Sequence, residues 1–472
     1  MQDTNFLKNF KSTIILSGQS ADNLYTLIRD CSLKGIYSDV RSLICRQGLT
    51  KLLILLKLLE IKSISKLVKS DFSSLINFGK DVLYSLKNNS KINWRKHLLN
   101  QSYHCIKDIE IDYGSQSADA LPCFIVDDTD LLKRGKCIEL IGKIFSHVSK
   151  GYFIGFKSLN LMYWTGKVGL HLDFSFHGEL GKKQNQGISK KQQKNRYNKK
   201  RAKDSAGQKR VDQYFKKKTD MAIEMLKRAI RKGFKARYIL ADSWFFNQQL
   251  VRFAIKEKVH LISRPKFNKW LYQYNGKDYT LRQLLNKFKA VKNRKHIRSM
   301  AMYAVSVKVQ FKGHPIQLFF FKEKKRGTKW RALACTDMRI GAERAYKIYQ
   351  NRWSIEVSFK ELKQYLKYGK CQSQDFDGQI ADATHCLMAY NFLAKLKSIN
   401  QHQSIGALFE EIAHKKMVPT VMQKFWKDFY SIIQKIAKLV ETDFEILLEK
   451  AFIKDNFFSQ LQNIAIYWST ET

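Results

Sequence analysis

The chain has 472 residues, 44% of them hydrophobic, and carries 85 Lys and Arg against 41 Asp and Glu, a formal net charge of +44. A chain this long and this apolar can bury more than one core, roughly two to four domains, which excludes a wholly disordered polypeptide. Such a charge excess repels itself unless a polyanion neutralises it, so nucleic acid is the first partner to expect, and no apolar run approaches the roughly 18 residues of a membrane span.

Residues 1–110 read as helices with a lysine-studded exterior, among them LTKLLILLKLLE and DFSSLINFGKDVLYSLK. They are expected to form a helical DNA-binding domain, the alternative being an unspecific scaffold. The N-terminus, MQDTNFLKNFKS, lacks the charged-then-apolar form of a signal peptide, and the eight cysteines contain no C-x2-C pair. Reduced thiols in a cytoplasmic protein follow as the expectation.

From 121 onward strand signals dominate: LPCFIVD, then GYFIGFKSLNLMYWT, then KVGLHLDFSF. Segment 181–218 holds 15 Lys or Arg and almost no aliphatic residues, so a loop or partly disordered arm that grips phosphate is expected there. Lys190, Lys191, Lys199, Lys200 and Arg201 are its candidate DNA contacts. A helix, TDMAIEMLKRAIRKGF, leads into the strand of YILADSWF. The order strand, strand, strand, helix, strand is that of a ribonuclease H-like α/β core. The 113 residues between Asp242 and Glu356 exceed any single helix connection. They alternate as strands in MAMYAVSVKVQF and HPIQLFFFKEKK, with WRALACTD after them, which points to a β-rich insertion.

Two acidic sites follow buried apolar runs. FIVDDT is expected to be a strand ending in Asp127, Asp128 and Thr129, and YILAD a strand ending in Asp242. A carboxylate just past a buried strand stands where open α/β sheets place their chemistry. A third acid lies in IYQNRWSIEVSFKELKQYLK. On one continuous helix Tyr349, Arg352, Glu356 and Lys363 share a sector about 60° wide, beside an apolar stripe of Ile355, Phe359, Leu362 and Leu366. Trp353 is expected in the core and Trp244 either over the site or capping the sheet. Asp, Asp and Glu together are hard oxygen donors suited to Mg²⁺ or Mn²⁺.

The combination DDT at 127–129, Asp242, and Tyr349, Arg352, Glu356 and Lys363 spaced as Y-x2-R-x3-E-x6-K resembles the DDE transposases of bacterial insertion sequences, in particular the cut-and-paste group with the Y-R-E-K signature. The resemblance spans roughly residues 115–395. It implies an α/β protein with a ribonuclease H-like catalytic core and β-rich insertion, flanked by helical N- and C-terminal domains. The implied division is a helical domain at 1–110, core at 111–250 and 337–398, insertion at 251–336, and a helical, dimer-forming domain at 399–472. It also implies two Mg²⁺ ions, with Mn²⁺ as the alternative, held by Asp128, Asp242 and Glu356; either Asp127 or Asp128 could be the first ligand, Asp128 fitting the motif better. Tyr349, Arg352 and Lys363 would contact DNA, and Trp330 resembles the family's base-stacking tryptophan. The implied partners are double-stranded DNA, both terminal inverted repeats and target, and a second copy of the chain on DNA, in a bacterial cytoplasm at the nucleoid. A different ribonuclease H-like nuclease and a non-catalytic, domesticated DNA-binding protein remain the alternatives.

Overall fold

The computed structural model describes residues 46–58, 63–69, 79–107, 120–290, 294–323, 329–400 and 404–414, with a few isolated positions besides. Most of the dimer-forming expectation at 399–472, and the first part of the helical domain at 1–110, lie outside the described residues.

The centre of the fold is set by one apolar run. Phe124, Ile125 and Val126 are fully buried and start strand β1 (Cys123–Leu132). β1 pairs antiparallel with β3 (Gly151–Trp164), whose first half forms a hairpin with β2 (Gly142–Ser146) and whose second half pairs with β4 (Gly169–His177). On its other side β1 pairs in parallel with β5 (Tyr238–Ala241), and β5 in parallel with β6 (His260–Ser263). Three antiparallel strands followed by two parallel ones, in the order β4-β3-β1-β5-β6, is the ribonuclease H-like arrangement.

The expected insertion extends this same sheet. Past β6 come β12 (Arg331–Cys335), β11 (His314–Glu323), β10 (Met302–Phe311), β7 (Leu271–Tyr274) and β8 (Lys277–Thr280), with β9 (Lys295–Ile297) paired to β10. β10 and β11 meet in a two-residue turn, Lys312 and Gly313, both at positive φ. That turn matches the twist of paired strands, and glycine adopts it without strain. β6 falls within 251–336 by number, yet it is the second parallel strand of the core.

Helices pack against the sheet. The described N-terminal ones are α1 (Arg46–Leu58), α2 (Ile64–Val68), α3 (Lys80–Lys87) and α4 (Trp94–Lys107). α1, α3 and α4 pack on α12 (Phe376–Asn400), and α4 also packs on β4. α5 (Lys190–Lys194), α6 (Ala206–Tyr214) and α7 (Lys218–Lys232) precede β5. α8 (Gln248–Lys256) and α9 (Leu281–Phe288) follow, then α10 (Ala342–Gln350), α11 (Trp353–Gln364) and, last, α13 (Ile405–His414). None of the described helices is long and apolar enough to cross a membrane.

Segment 181–218 departs from its expected form. It contains α5 and α6, and Ile188 and Tyr214 are buried anchors. What fixes it is charge. Arg201, only 1% exposed, donates to both carboxylate oxygens of Glu139 at 2.6 Å and to Asp377 at 2.9 Å. Lys199 pairs with Asp375 at 2.7 Å and Asp377 at 2.9 Å. A count of basic residues cannot foresee this, because the acids lie far off in the chain, Glu139 62 residues from Arg201 and Asp377 176 residues from it. Arg201 and Lys199 are thus committed inside the protein, whereas Lys190, Lys191 and Lys200 are exposed with no ion pair among the described residues. Arg201→Gln is expected to cost about 3–5 kcal/mol by stranding buried carboxylates, seen as a fall in Tm. Lys190→Gln, Lys191→Gln and Lys200→Gln should leave Tm unchanged; if they bind DNA, each lowers the salt slope of binding by about one. A triple variant with the wild-type slope would show those lysines to be spectators.

Candidate active site

β1 does not end at its aspartates. It runs on to Leu132 because the register with β3 continues through Asp127↔Asn160 and beyond. A polar half-strand inside a sheet requires partners, and each side chain has one. Asp127 pairs with Arg352 at 2.7 Å, Asp128 with Lys218, Thr129 accepts from Lys363 Nζ at 2.6 Å, and Asp130 pairs with Lys157 at 2.5 Å. Strand alternation sorts these into two sets. Asp127 reaches Arg352 and Thr129 reaches Lys363, at the start and end of α11; Asp128 reaches Lys218 at the start of α7, and Asp130 reaches Lys157 of β3.

The parallel register of β1 and β5 ends at Val126↔Ala241, so Asp127 and Asp242 are the next residues on neighbouring strands. Asp242 makes no ion pair among the described residues. Glu356 completes the set from α11, where Arg352 Nη2 donates to it at 2.5 Å while Nη1 holds Asp127. The guanidinium thus forms a fork between the first and third acids. Burial pushes the Asp127 carboxyl up to about 7, Arg352 opposes this, and the Asp128 and Asp242 charges add to it. Although burial works against it, Tyr349, Asp127 and Glu356 hold the guanidinium above its ordinary value.

The helix expected to be continuous from Tyr349 to Lys363 is two, α10 and α11, joined through Asn351 and Arg352. Both junction residues keep right-handed helical dihedrals, but the amides of Asn351, Arg352 and Ser354 bond three residues back, which tightens the turn. The tighter winding places Arg352 5.7 Å from the centroid of the Tyr349 ring, and the Tyr349 hydroxyl donates to Ala241 O at 3.4 Å, beside Asp242. Ile355, Phe359, Leu362 and Leu366 are buried, as their spacing predicts.

The structure therefore brings together Asp127, Asp242, Glu356, Tyr349, Arg352 and Lys363. Asp128 lines one cavity with Asp242 and another with Lys363. Trp330, just ahead of β12, is half-buried with the Arg294 guanidinium 5.7 Å from its ring centroid. Trp353, expected in the core, is 60% exposed because it opens α11 on the outer side of the tightened junction. Lys218 was not foreseen in this role; its position in a basic run hides that it answers Asp128.

Carboxylate oxygens are the correct donor class for a hard divalent cation. Their present arrangement does not hold one, however. Arg352 fills the gap between Asp127 and Glu356, and among the described residues no group of three His, Cys, Asp or Glu side chains is close enough to share a metal.

Residues 216–392 match a family model described as "Transposase DDE domain", and residues 107–276 match one described as "DDE superfamily endonuclease". No curated protein matches the chain. The crystal structure of the NurA nuclease from Sulfolobus solfataricus aligns with 60% of this chain and 85% of its own at 13% identity, but with a TM-score of 0.23, too slight a likeness for anything to rest on it. The two family matches together run from 107 to 392 and take in Asp127, Asp128, Asp242 and Glu356, so this part of the chain is similar to DDE transposase and DDE endonuclease domains.

Proposed function

We propose that the protein is a transposase that cleaves DNA strands and joins the freed ends to target DNA by a cut-and-paste route with a hairpin intermediate. The observation that carries this reading is the convergence of Asp127 and Asp242, from adjacent parallel strands, with Glu356 from the helix across them. The Y-R-E-K spacing supports the cut-and-paste route. Asp127, rather than Asp128, is the proposed first carboxylate, because it alone of the two is joined to Glu356 through Arg352. Once Arg352 releases Asp127 and Glu356, these two and Asp242 would hold two divalent cations, Mg²⁺ or Mn²⁺, which would supply activation of a water or 3′-hydroxyl and stabilisation of the leaving oxygen.

The chain's own residues supply the rest. Arg352 can exchange its two carboxylates for phosphate oxygens, which suit the same planar fork. Its departure would free Asp127 and Glu356 only when DNA is present. Lys363, anchored on Thr129, brings a point charge to the same face, and Tyr349 stands at the DNA end. Two copies of the chain would hold the two element ends, in the cytoplasm where the DNA lies.

A non-catalytic DNA-binding protein is the second reading, favoured by the closed Arg352 fork. An assay on duplex DNA carrying the gene's own flanking sequence separates the two. Hairpin-ended product is expected with Mg²⁺ and none after EDTA; DNA binding without a cut under either condition would sink the first reading.

A further inference from the structure

A cavity of about 690 Å³ opens on the Asp128 side of the sheet and reaches Asp242 without touching α11. Its volume lies within the range of about 300–1,000 Å³ typical of ligand sites. Two large aromatic rings line it while facing solvent: Trp244, 57% exposed, and Phe215, 61% exposed. Leaving an indole in water forgoes the burial that makes tryptophan a core residue, so a ring held this way beside two acids calls for a partner. Two ammonium groups already stand over it, Lys266 Nζ at 4.5 Å and Lys218 Nζ at 5.1 Å from the ring centroid. Lys218 also closes on Asp128.

An open aromatic face flanked by cations is the combination that single-stranded nucleic acid uses, base on ring and phosphate on ammonium. We infer that Trp244, with Lys218 and Lys266, seats an unpaired nucleotide of the DNA strand next to the cleavage point. The base stacks on the indole and displaces the ammonium groups, which turn to the phosphate. Lys218 then leaves Asp128. The seat is distinct from the surroundings of Trp330, and it rests on the DNA-cleaving reading above.

The test uses the full chain in EDTA, so that no strand is cut, with two duplexes of one sequence: one blunt, the other with a short single-stranded overhang containing 2-aminopurine. Wild type is expected to bind the overhang duplex more tightly and to quench its fluorescence. Trp244→Ala should lower overhang affinity about tenfold and abolish the quench while changing blunt-duplex affinity less than about twofold, and Trp244→Phe should recover most of both. Because the ring is exposed, Tm should be unchanged. Wild-type overhang affinity and quench in Trp244→Ala would overturn the seat and leave the DNA reading standing. Free dAMP displacing the overhang at equal concentration would overturn a seat for a strand. A wild type that binds neither duplex would overturn both readings.

Discussion

Glu356→Gln is expected to abolish strand cleavage, by at least about 10³-fold or on the order of 4 kcal/mol of transition-state stabilisation, while DNA affinity stays within about twofold. The amide keeps the shape of the side chain and removes the charge that a cation would need. Glu356 is partly exposed and among the described residues its ion-pair partner is Arg352, so the fold loses the Arg352–Glu356 pair while Arg352 keeps Asp127. Phosphate contacts from Lys363 and the exposed lysines are untouched, which is why binding should survive. Asp127→Asn and Asp242→Asn should behave alike, whereas Asp128→Asn should lose less than about tenfold if Asp127 is the ligand. Single-turnover cleavage and a gel-shift on the same preparations decide the matter. A Glu356→Gln protein that cut at the wild-type rate would remove Glu356 from the site, and an inactive Asp128→Asn beside an active Asp127→Asn would exchange the roles of the two aspartates.

The second large effect concerns stability. Asp173 in β4 is buried among three arginines from three helices: Arg95 of α4 at 2.8 Å, Arg228 of α7 at 2.8 Å, and Arg210 of α6 at 4.0 Å. One carboxylate therefore ties α4, α6 and α7 to the sheet. Burial alone would raise it, but Arg95, Arg228 and Arg210 outweigh that and hold it down to about 2. Asp173→Asn leaves three guanidinium groups without their shared counter-charge, and a loss of about 3–5 kcal/mol is expected, read as a fall in Tm. The pH dependence has a definite sign. With the folded value depressed below the unfolded value of about 3.9, the contribution is present above that pH and lost as pH falls toward 2. Wild type should weaken across that window, and Asp173→Asn should show less of this weakening. Equal Tm values for the two proteins at pH 7 would show that the cluster contributes nothing net.

Much of the core was legible because it depends on local rules. A run such as Phe124–Val126 is buried wherever it falls, and the period of Ile355, Phe359, Leu362 and Leu366 names the inward face of a helix whatever lies beyond it. The chain order of strands and helix is likewise a property of one dimension. Spacing also placed Tyr349, Arg352, Glu356 and Lys363 together, since residues three, four and seven apart return to one face even through the tightened junction at Asn351.

The remaining features depend on partners remote in the chain. That β1 continues past Asp127 follows from Arg352, Lys218, Lys363 and Lys157, which answer its polar residues from α11 and its N-cap, α7 and β3. Segment 181–218 lacks aliphatic residues and so reads as coreless, yet Arg201 and Lys199 meet Glu139, Asp375 and Asp377. Composition counts those charges but does not record where their counter-charges fold. Sequence by itself determined which acids, which helix face and which strand order this protein has, because periodicity and local burial decide them. Only the tertiary structure decided that Asp127 faces Glu356 while Asp128 faces Trp244 and Lys218, because adjacent residues of a strand point to opposite faces and the packing of α7 and α11 sets which face is which.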